Sequence, residues 1–158
     1  MTDGDSELHL AQAKQLNNSV WDVLDAGELA GDSPEAREAL LYAAYASAHH
    51  WRQVGTAVNQ LRAEHLISRA AALAGYGDAA LHHARRCLEL CDANRDDIAD
   101  WDLGFAHEAL ARALAATGDP TAAEARAHAI TVAAAIADEQ DREIVEGELA
   151  RAPWFGLA

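Results

Sequence analysis

The sequence predicts an all-α protein, and three observations carry this prediction. Alanine, which has the highest intrinsic helix propensity, fills 39 of the 158 positions. Only three prolines occur, and runs of alternating β-branched residues are absent. Three glycines, Gly31, Gly75 and Gly118, recur at intervals of 44 and 43 residues between apolar, alanine-rich segments. Such a period is typical of stacked helical hairpins, here expected to form one domain over residues 1–158.

The first two helices follow from apolar periodicity and from residues that cap or end helices. The first is predicted over about residues 6–29, where four residues fall on one face at helical spacing: Leu16, Val20, Val23 and Gly27. The second is expected to begin after Asp32 or Ser33 as the N-cap, with Pro34 in its first turn. It should continue to about Val54, because Gly55 follows.

Five further helices complete the predicted order. Their expected ranges are about 57–74, 78–94, 101–117, 121–137 and 139–151. The polar stretch 94–97 separates the fourth from the fifth, and Asp119-Pro120 precedes the sixth. Residues 153–157, the aromatic tail, are expected to dock on the last hairpin, because a terminus without such an anchor frays. The alternative interpretation of the tail is an anchor for a membrane or a partner.

The charge of the chain limits its classes of partner. Its formal net charge is −14, from 12 Lys and Arg against 26 Asp and Glu, so it repels phosphate backbones and anionic membranes. We therefore expect neither a nucleic acid nor a membrane as partner. The N-terminus lacks an apolar signal segment, and no apolar run approaches the ~18 residues of a membrane span. These features favour a cytoplasmic protein, and none of them calls for a cofactor.

At the glycines the sequence resembles the tetratricopeptide repeat. The central stretch LAGYGDAALHHARRCLEL is the best match, with Gly75 at the turn and Ala80 and Cys87 at the two small packing positions. Leu81 and Leu88 stand at the leucines that follow them. The other two units match at fewer positions, namely Gly118, Ala123 and Ile130 in the third and Gly31 and Ala36 in the first. The period exceeds the family's length of about 34 residues, which indicates longer helices.

This resemblance implies a right-handed superhelix of three helical hairpins plus a short C-terminal helix. In that family the first helices of the hairpins line a concave groove, which usually binds an extended peptide. The strings HWRQVG, HARRCLEL and PWFGLA also resemble a group of small bacterial proteins. The leading prediction is therefore a non-enzymatic binding module for a peptide or protein partner.

The resemblance and the helical period together predict which residues face the groove. They are Asn18, Trp21 and Asp25 in the first unit, Arg62, His65 and Arg69 in the second, and Phe105, Glu108 and Arg112 in the third. Aromatic and basic residues of this kind suit a ligand with an anionic group and a flat or apolar part. In the alternative interpretation, Trp21 is a core residue, and Glu108 and Arg112 only pair with each other on the surface.

A second hypothesis is a small-ligand or metal site, which could also serve an enzyme. His83, Cys87 and Cys91 share one stripe of the fourth helix, and their N and S atoms are ligands for Zn²⁺ or Cu⁺. His50 or His107 from a neighbouring helix would complete the site. The alternative is that Cys87 is a small core residue, because buried cysteine commonly packs as an apolar side chain.

The second helix carries an aromatic and cationic stripe. Four residues form it: Tyr42, Tyr45, His49 and Arg52. One interpretation is a seam against the third helix. The other is the contact face of a homodimer, because aromatic and arginine side chains are enriched at interfaces.

Overall fold

The computed structural model describes residues 2–27, 29 and 32–157, and within these ranges the chain forms seven α-helices and no strand. The helices are α1 (Asp3–Ala26), α2 (Pro34–Val54), α3 (Ala57–Leu73), α4 (Gly77–Ala93), α5 (Asp100–Thr117), α6 (Ala122–Ala134) and α7 (Glu139–Ala150). The all-α prediction and the order of the helices are confirmed. Among the described residues, none of these helices is both long enough and apolar enough to cross a bilayer.

The first helix begins and ends earlier than predicted. The Thr2 hydroxyl accepts a hydrogen bond from the Asp5 backbone N–H at 3.2 Å, and the Asp5 carboxylate accepts one from the Thr2 N–H at 3.0 Å. This capping box starts the helix at Asp3. Gly27 has a φ of +73° and ends α1 instead of lying on its apolar face, and the face is buried through Val20 and Leu24. The predicted turn glycine Gly31 lies outside the described residues.

Gly75 and Gly118 end α3 and α5 in the same way. Their φ values are +84° and +71°, a left-handed conformation that glycine adopts without steric penalty. The Gly75 N–H donates to the Ala72 carbonyl at 3.1 Å, and the following N–H donates to Ala71 at 2.8 Å. The N–H groups of residues 118 and 119 donate to the carbonyls of residues 115 and 114 in the same pattern. Both helices thus end in a Schellman motif, which confirms these two turn glycines.

The third unit is one residue out of register with the predicted alignment. Ala80 and Cys87 are buried, as the resemblance requires. Ala123 and Ile130 are exposed, and the neighbouring residues Ala122 and Ala129 are buried in their place. The Asp119 carboxylate accepts hydrogen bonds from the N–H and hydroxyl of residue 121, and this turn delays the start of α6 after Gly118. The different turn therefore changes which face of α6 is buried.

The odd-numbered helices form an inner set, and the even-numbered helices form an outer set. Each helix packs against the next one in the chain, and the odd-numbered helices also contact one another in the order α1, α3, α5, α7. The seam of α3, α4 and α5 is built from alanine, with Ala71, Ala84 and Ala109 fully buried. Side chains of this size let helix backbones approach closely. Because α3 and α5 have neighbours on several sides, they carry the largest sets of buried residues.

The aromatic tail docks as predicted. Trp154 is 7% exposed and belongs to a core cluster formed by α5, α6 and α7. Its indole N–H donates to the Leu149 carbonyl at 3.1 Å. The guanidinium groups of Arg112 and Arg126 lie 4.2 and 4.3 Å from the centre of the indole ring. Burial and these two cation–π contacts hold the C-terminal segment against the last hairpin.

Two helical glycines make a testable pair. A Cβ atom at Gly104 of α5 would lie 3.0 Å from Val145 and 3.1 Å from Ile136, whereas a Cβ at Gly147 of α7 would meet nothing within 4 Å. Gly104→Val should lower the free energy of unfolding by about 1–3 kcal/mol through overpacking. Gly147→Ala should raise it by about 0.5–1 kcal/mol, because alanine is the better helix former.

Urea unfolding followed by circular dichroism measures both changes. Gly147→Ala serves as the control, since it alters a helical glycine without creating a contact. A Gly104→Val protein as stable as the wild type would show that α5 does not pack against Val145 and Ile136 as described.

Candidate functional site

An aromatic strip runs across the inner set of helices. It consists of Trp21 from α1, His65 from α3, and Phe105 and Trp101 from α5. The rings of Trp21 and His65 are stacked, with their planes 25° apart and their centres 5.8 Å apart. The ring centres of His65 and Phe105 are 5.2 Å apart. Phe105 meets Trp101 edge to face at 5.9 Å. Three of the predicted groove residues are thus neighbours, although they come from three helices.

Two adjoining pockets lie along this strip and share Trp21 and Phe105 in their linings. The first has a volume of about 210 Å³, and its other lining residues include Asn17, Leu61, Arg62, Trp101 and Asp102. The second has a volume of about 450 Å³, and its other lining residues include Asp25, Glu143, Ile144, Glu148 and Arg151. Together we call them the groove. Asn17 lines it, whereas the predicted Asn18 is exposed and lines neither pocket.

A network of buried charges supports the strip from beneath. Glu108 is fully buried, and its Oε1 accepts hydrogen bonds from Arg69 Nη1 at 2.6 Å and from Arg112 Nε at 2.5 Å. His65 Nε2 lies 3.4 Å from the other carboxylate oxygen. Arg69 also pairs with Glu148 of α7. Glu108, Arg69, Arg112 and Glu148 form what we call the buried ion network. The interpretation of Glu108 and Arg112 as a surface pair is therefore wrong.

Arg112 links this network to the C-terminal segment. It donates hydrogen bonds to three backbone carbonyls, those of Glu148 at 2.9 Å, Arg151 at 3.0 Å and Pro153 at 2.6 Å. These carbonyls lie in the last turn of α7 and at the start of the C-terminal tail. The last carbonyls of a helix have no hydrogen-bond partner within the helix, so a side chain that binds them stabilises its end. One side chain thus balances the charge of Glu108 and caps α7.

Two of the three arginines predicted to face the groove, Arg69 and Arg112, are buried beneath it instead, and the third, Arg62, already has a carboxylate partner. Arg62 donates two hydrogen bonds to Asp102, at 2.8 and 3.2 Å, and its guanidinium lies 4.2 Å from the centre of the Trp101 ring. Arg151 at the rim pairs with Asp25. The expectation of an anionic ligand rested on unpaired arginines, and this arrangement removes its basis. Of the carboxylates that line the second pocket, Asp25 pairs with Arg151 and Glu148 pairs with Arg69, which leaves Glu143, among the described residues, as the exposed acidic group on its rim without an ion-pair partner.

The surroundings of Glu108 determine its protonation. Burial by itself raises the pKa of this carboxyl, but the charge of Arg69, the contact with His65 and the charge of Arg112 outweigh burial. The pKa is therefore held far below the usual range, and Glu108 stays ionised in the folded protein at every pH near neutrality.

The structure does not bring the five residues of the metal hypothesis together. His50 contacts His9, with 2.7 Å between their Nδ1 atoms, and His107 contacts the ring of His128. The hydrogen bond with Cys91, followed by burial, raises the pKa of the buried Cys87 thiol. In the part of the chain that the structure describes, no three His, Cys, Asp or Glu side chains are grouped as metal ligands. His83 instead binds Glu64.

The stripe on α2 is not a helix seam. Tyr42 is 67% exposed, and Tyr45, His49 and Arg52 are also exposed. The interpretation of this stripe as packing against α3 is therefore wrong. The interpretation as a homodimer face stays a prediction.

The sequence analysis missed several residues of the groove and of the buried ion network, among them Asp102, Glu148 and Trp101. Asp102 and Glu148 pair with Arg62 and Arg69, and Trp101 extends the aromatic strip. A signal existed, because arginines within alanine-rich apolar segments require carboxylate partners once they are buried. The sequence offers 26 acidic residues as candidates, and no local spacing identifies partners that lie 40 and 79 positions away.

Glu108→Gln should destabilise the protein strongly at neutral pH. The change leaves two buried arginines without full compensation, so the free energy of unfolding should fall by about 3–5 kcal/mol. Because the folded pKa of Glu108 is depressed, its stabilisation is complete above the unfolded pKa of about 4.3 and is lost as pH falls below it. The difference between wild type and variant should therefore narrow below about pH 4.3.

Urea unfolding at a series of pH values between neutral and acidic measures this difference. Glu38→Gln removes the same charge from an exposed site on α2 and serves as the control, with an expected change within about 0.5 kcal/mol. A gap between wild type and Glu108→Gln that is constant with pH would contradict the role given to the carboxylate charge.

Comparison of this chain with family models, with curated proteins and with solved structures gives no match. The resemblance to the tetratricopeptide repeat therefore rests on the residues quoted above.

Proposed function

We propose that the protein is a non-enzymatic, cytoplasmic binding module that holds an extended segment of a peptide or protein partner in the groove. The observation that carries the proposal is the aromatic strip. Trp21, Phe105 and Trp101 are each half-buried, so each ring is fixed on one side and open on the other. Half-buried aromatic side chains of this kind are enriched at protein interfaces, where they supply most of the contact energy.

The buried ion network supports the proposal because it fixes the strip in place before a partner arrives. His65, which stacks on Trp21 and meets Phe105 edge to face, also contacts the buried Glu108. A surface that is already ordered loses little conformational entropy on binding, and this favours affinity. The groove is therefore suited to a partner that becomes ordered on its surface.

The helix order supports a tetratricopeptide-like superhelix as the form of this module. The contacts in the order α1, α3, α5 and α7 place the first helix of each hairpin in one layer, followed by the C-terminal helix. The groove lies on that layer, where the family's concave surface would be. We propose that the hairpins wind in the right-handed sense that the resemblance implies.

The charges of the groove suggest the chemistry of the partner. Within the groove lining, Arg62 and Arg151 are paired with Asp102 and Asp25, whereas Glu143 is exposed. A partner segment with a basic side chain beside an apolar or aromatic one would pair with this rim and cover the strip. The net charge of −14 would favour encounter with such a segment.

A peptide array tests the proposal. The purified protein is applied to immobilised random peptides, and we expect the bound ones to be enriched in Lys or Arg next to aromatic or aliphatic residues. Affinity for selected peptides is then measured by fluorescence polarisation. Trp21→Ala should weaken binding at least ~10-fold through loss of an interface aromatic. Glu143→Lys should weaken it about 3–10-fold, more at low salt than at high salt.

Matched variants control both changes. Trp51→Ala removes a half-buried tryptophan from α2, outside the groove lining, and Glu38→Lys reverses a charge on the same helix. Both should bind like the wild type. Because Glu143 is exposed, its variant folds normally and tests the groove even if Trp21→Ala is unstable. Selected peptides that bind both groove variants as tightly as the wild type would overturn the proposal.

A further inference from the structure

A further pocket, separate from the two that form the groove, lies on the opposite side of α3. It is formed by α2, α3 and α4 and has a volume of about 300 Å³. Residues 60, 63, 64 and 67 of α3 line it, whereas the groove uses residues 61, 62 and 65 of the same helix. We call it the outer pocket. Its lining shares no residue with the groove, so its chemistry has to be explained separately.

The rim of the outer pocket is basic, although the chain as a whole is strongly acidic. Arg52, Arg86, His49 and His83 line it, against a single carboxylate, Glu64. Arg86 also contacts Glu89 at 3.0 Å, but this pair is exposed and therefore weak. With a net charge of −14 over the whole chain, two arginines and two histidines around one pocket mark a local site for negative charge.

Three side chains in this pocket form a hydrogen-bonded chain. His83 Nδ1 lies 2.6 Å from Glu64 Oε2, and His83 Nε2 lies 2.9 Å from the Tyr45 hydroxyl. The carboxylate of Glu64 accepts a hydrogen bond from the His83 Nδ1–H, which fixes the orientation of the ring. Glu64 and His83 are mostly buried, with 17% and 14% of their side chains exposed, so the chain of contacts is held in place.

The Tyr45 hydroxyl can act as a donor to a ligand in this arrangement. Burial, followed by the charge of Glu64, raises the pKa of Tyr45, so the hydroxyl keeps its proton at neutral pH. When His83 is protonated, its Nε2–H donates to the tyrosine oxygen. The hydroxyl proton is then free to be donated into the pocket, where an acceptor with negative charge would receive it.

We propose that the outer pocket is a binding site for a small organic oxyanion, a carboxylate or a phosphate monoester carried on an apolar body. Arg52 and Arg86 bind the oxyanion, and Tyr45, oriented by His83 and Glu64, donates a further hydrogen bond to it. Planar guanidinium groups match both carboxylate and phosphate oxygens, so the shared chemistry is that of the oxyanion.

The rest of the pocket defines the body of the ligand. Ala48, Ala63, Ile67 and Leu90 supply an apolar floor between the charged groups. A volume of about 300 Å³ is at the lower end of the range for small-molecule sites, roughly 300–1,000 Å³. The site therefore accepts a compact ligand, with its charged group at the arginines and its apolar part on the floor.

Isothermal titration with phenyl phosphate, benzoate and inorganic phosphate tests this site. Phenyl phosphate or benzoate should bind the wild type with a dissociation constant at or below ~1 mM, and inorganic phosphate at least ~5-fold more weakly, because it lacks an apolar body. The tighter of the two organic probes identifies the oxyanion. If neither organic probe binds at 10 mM, the proposal is overturned. If inorganic phosphate binds as tightly as phenyl phosphate, the apolar floor does not contact the body of the ligand.

Charge-matched variants locate the binding. Arg52→Gln combined with Arg86→Gln should weaken binding of the better probe at least ~10-fold, since charge-assisted hydrogen bonds are lost. Arg85→Gln combined with Arg95→Gln removes the same charge from residues outside this pocket and should change affinity less than ~2-fold. Equal losses in the two double variants would show nonspecific attraction and overturn the site.

Tyr45→Phe tests the hydrogen-bonded chain. It removes the hydroxyl and keeps the ring, which is 41% exposed, so the fold is not affected. Affinity for the better probe should fall about 3–10-fold. Tyr42→Phe removes a hydroxyl from the same helix outside the pocket and should leave affinity unchanged. Wild-type affinity of Tyr45→Phe for the probe would overturn the role of Tyr45. Because these variants lie outside the groove lining, they should bind the peptides selected for the groove as tightly as the wild type does.

Discussion

Glu108 places a full negative charge at the centre of α5, with no access to solvent. A buried carboxylate is tolerated only when positive groups and hydrogen bonds replace the water it has lost, and Arg69 and Arg112 do so here. These arginines are buried as well, so they in turn need further acceptors. The Glu148 carboxylate provides one, and the carbonyls of Glu148 in α7 and of Arg151 and Pro153 just after it provide the others. The buried charge of Glu108 thus adds a polar anchor for α7 and the C-terminal tail to the apolar packing of Trp154.

The same requirement divides the chemistry of the groove between its floor and its rim. The arginines beneath the strip are neutralised within the fold, and they serve as support for His65, Trp21 and Phe105. What remains for a partner is the open side of the rings and an acidic edge. The groove therefore differs from a site built on free arginines, even though arginine is its most frequent basic residue.

The sequence predicts the local features of this fold well, because they depend on neighbouring residues. Gly75 and Gly118 end their helices as expected, since a left-handed residue is required there. The register of α6 was missed because α6 starts four residues after Gly118, past the turn at Asp119, whereas α4 starts two residues after Gly75. The pairing of Arg69 with Glu108 and Glu148 was also missed, since partners distant in sequence are chosen by helix packing and no local pattern encodes them.

Helix α3 carries residues for both proposed sites, because it lies between the other helices and its opposite faces line different pockets. Arg62 and His65 face the groove, while Glu64 and Ile67 face the outer pocket, so adjacent residues serve opposite sides. Since successive residues on a helix are about 100° apart, a small rotation of α3 would misplace both sets. Contacts with α1, α2, α4 and α5 resist such a rotation. The ion pair between Arg69 and Glu108 adds a directional contact, which alanine packing alone does not supply.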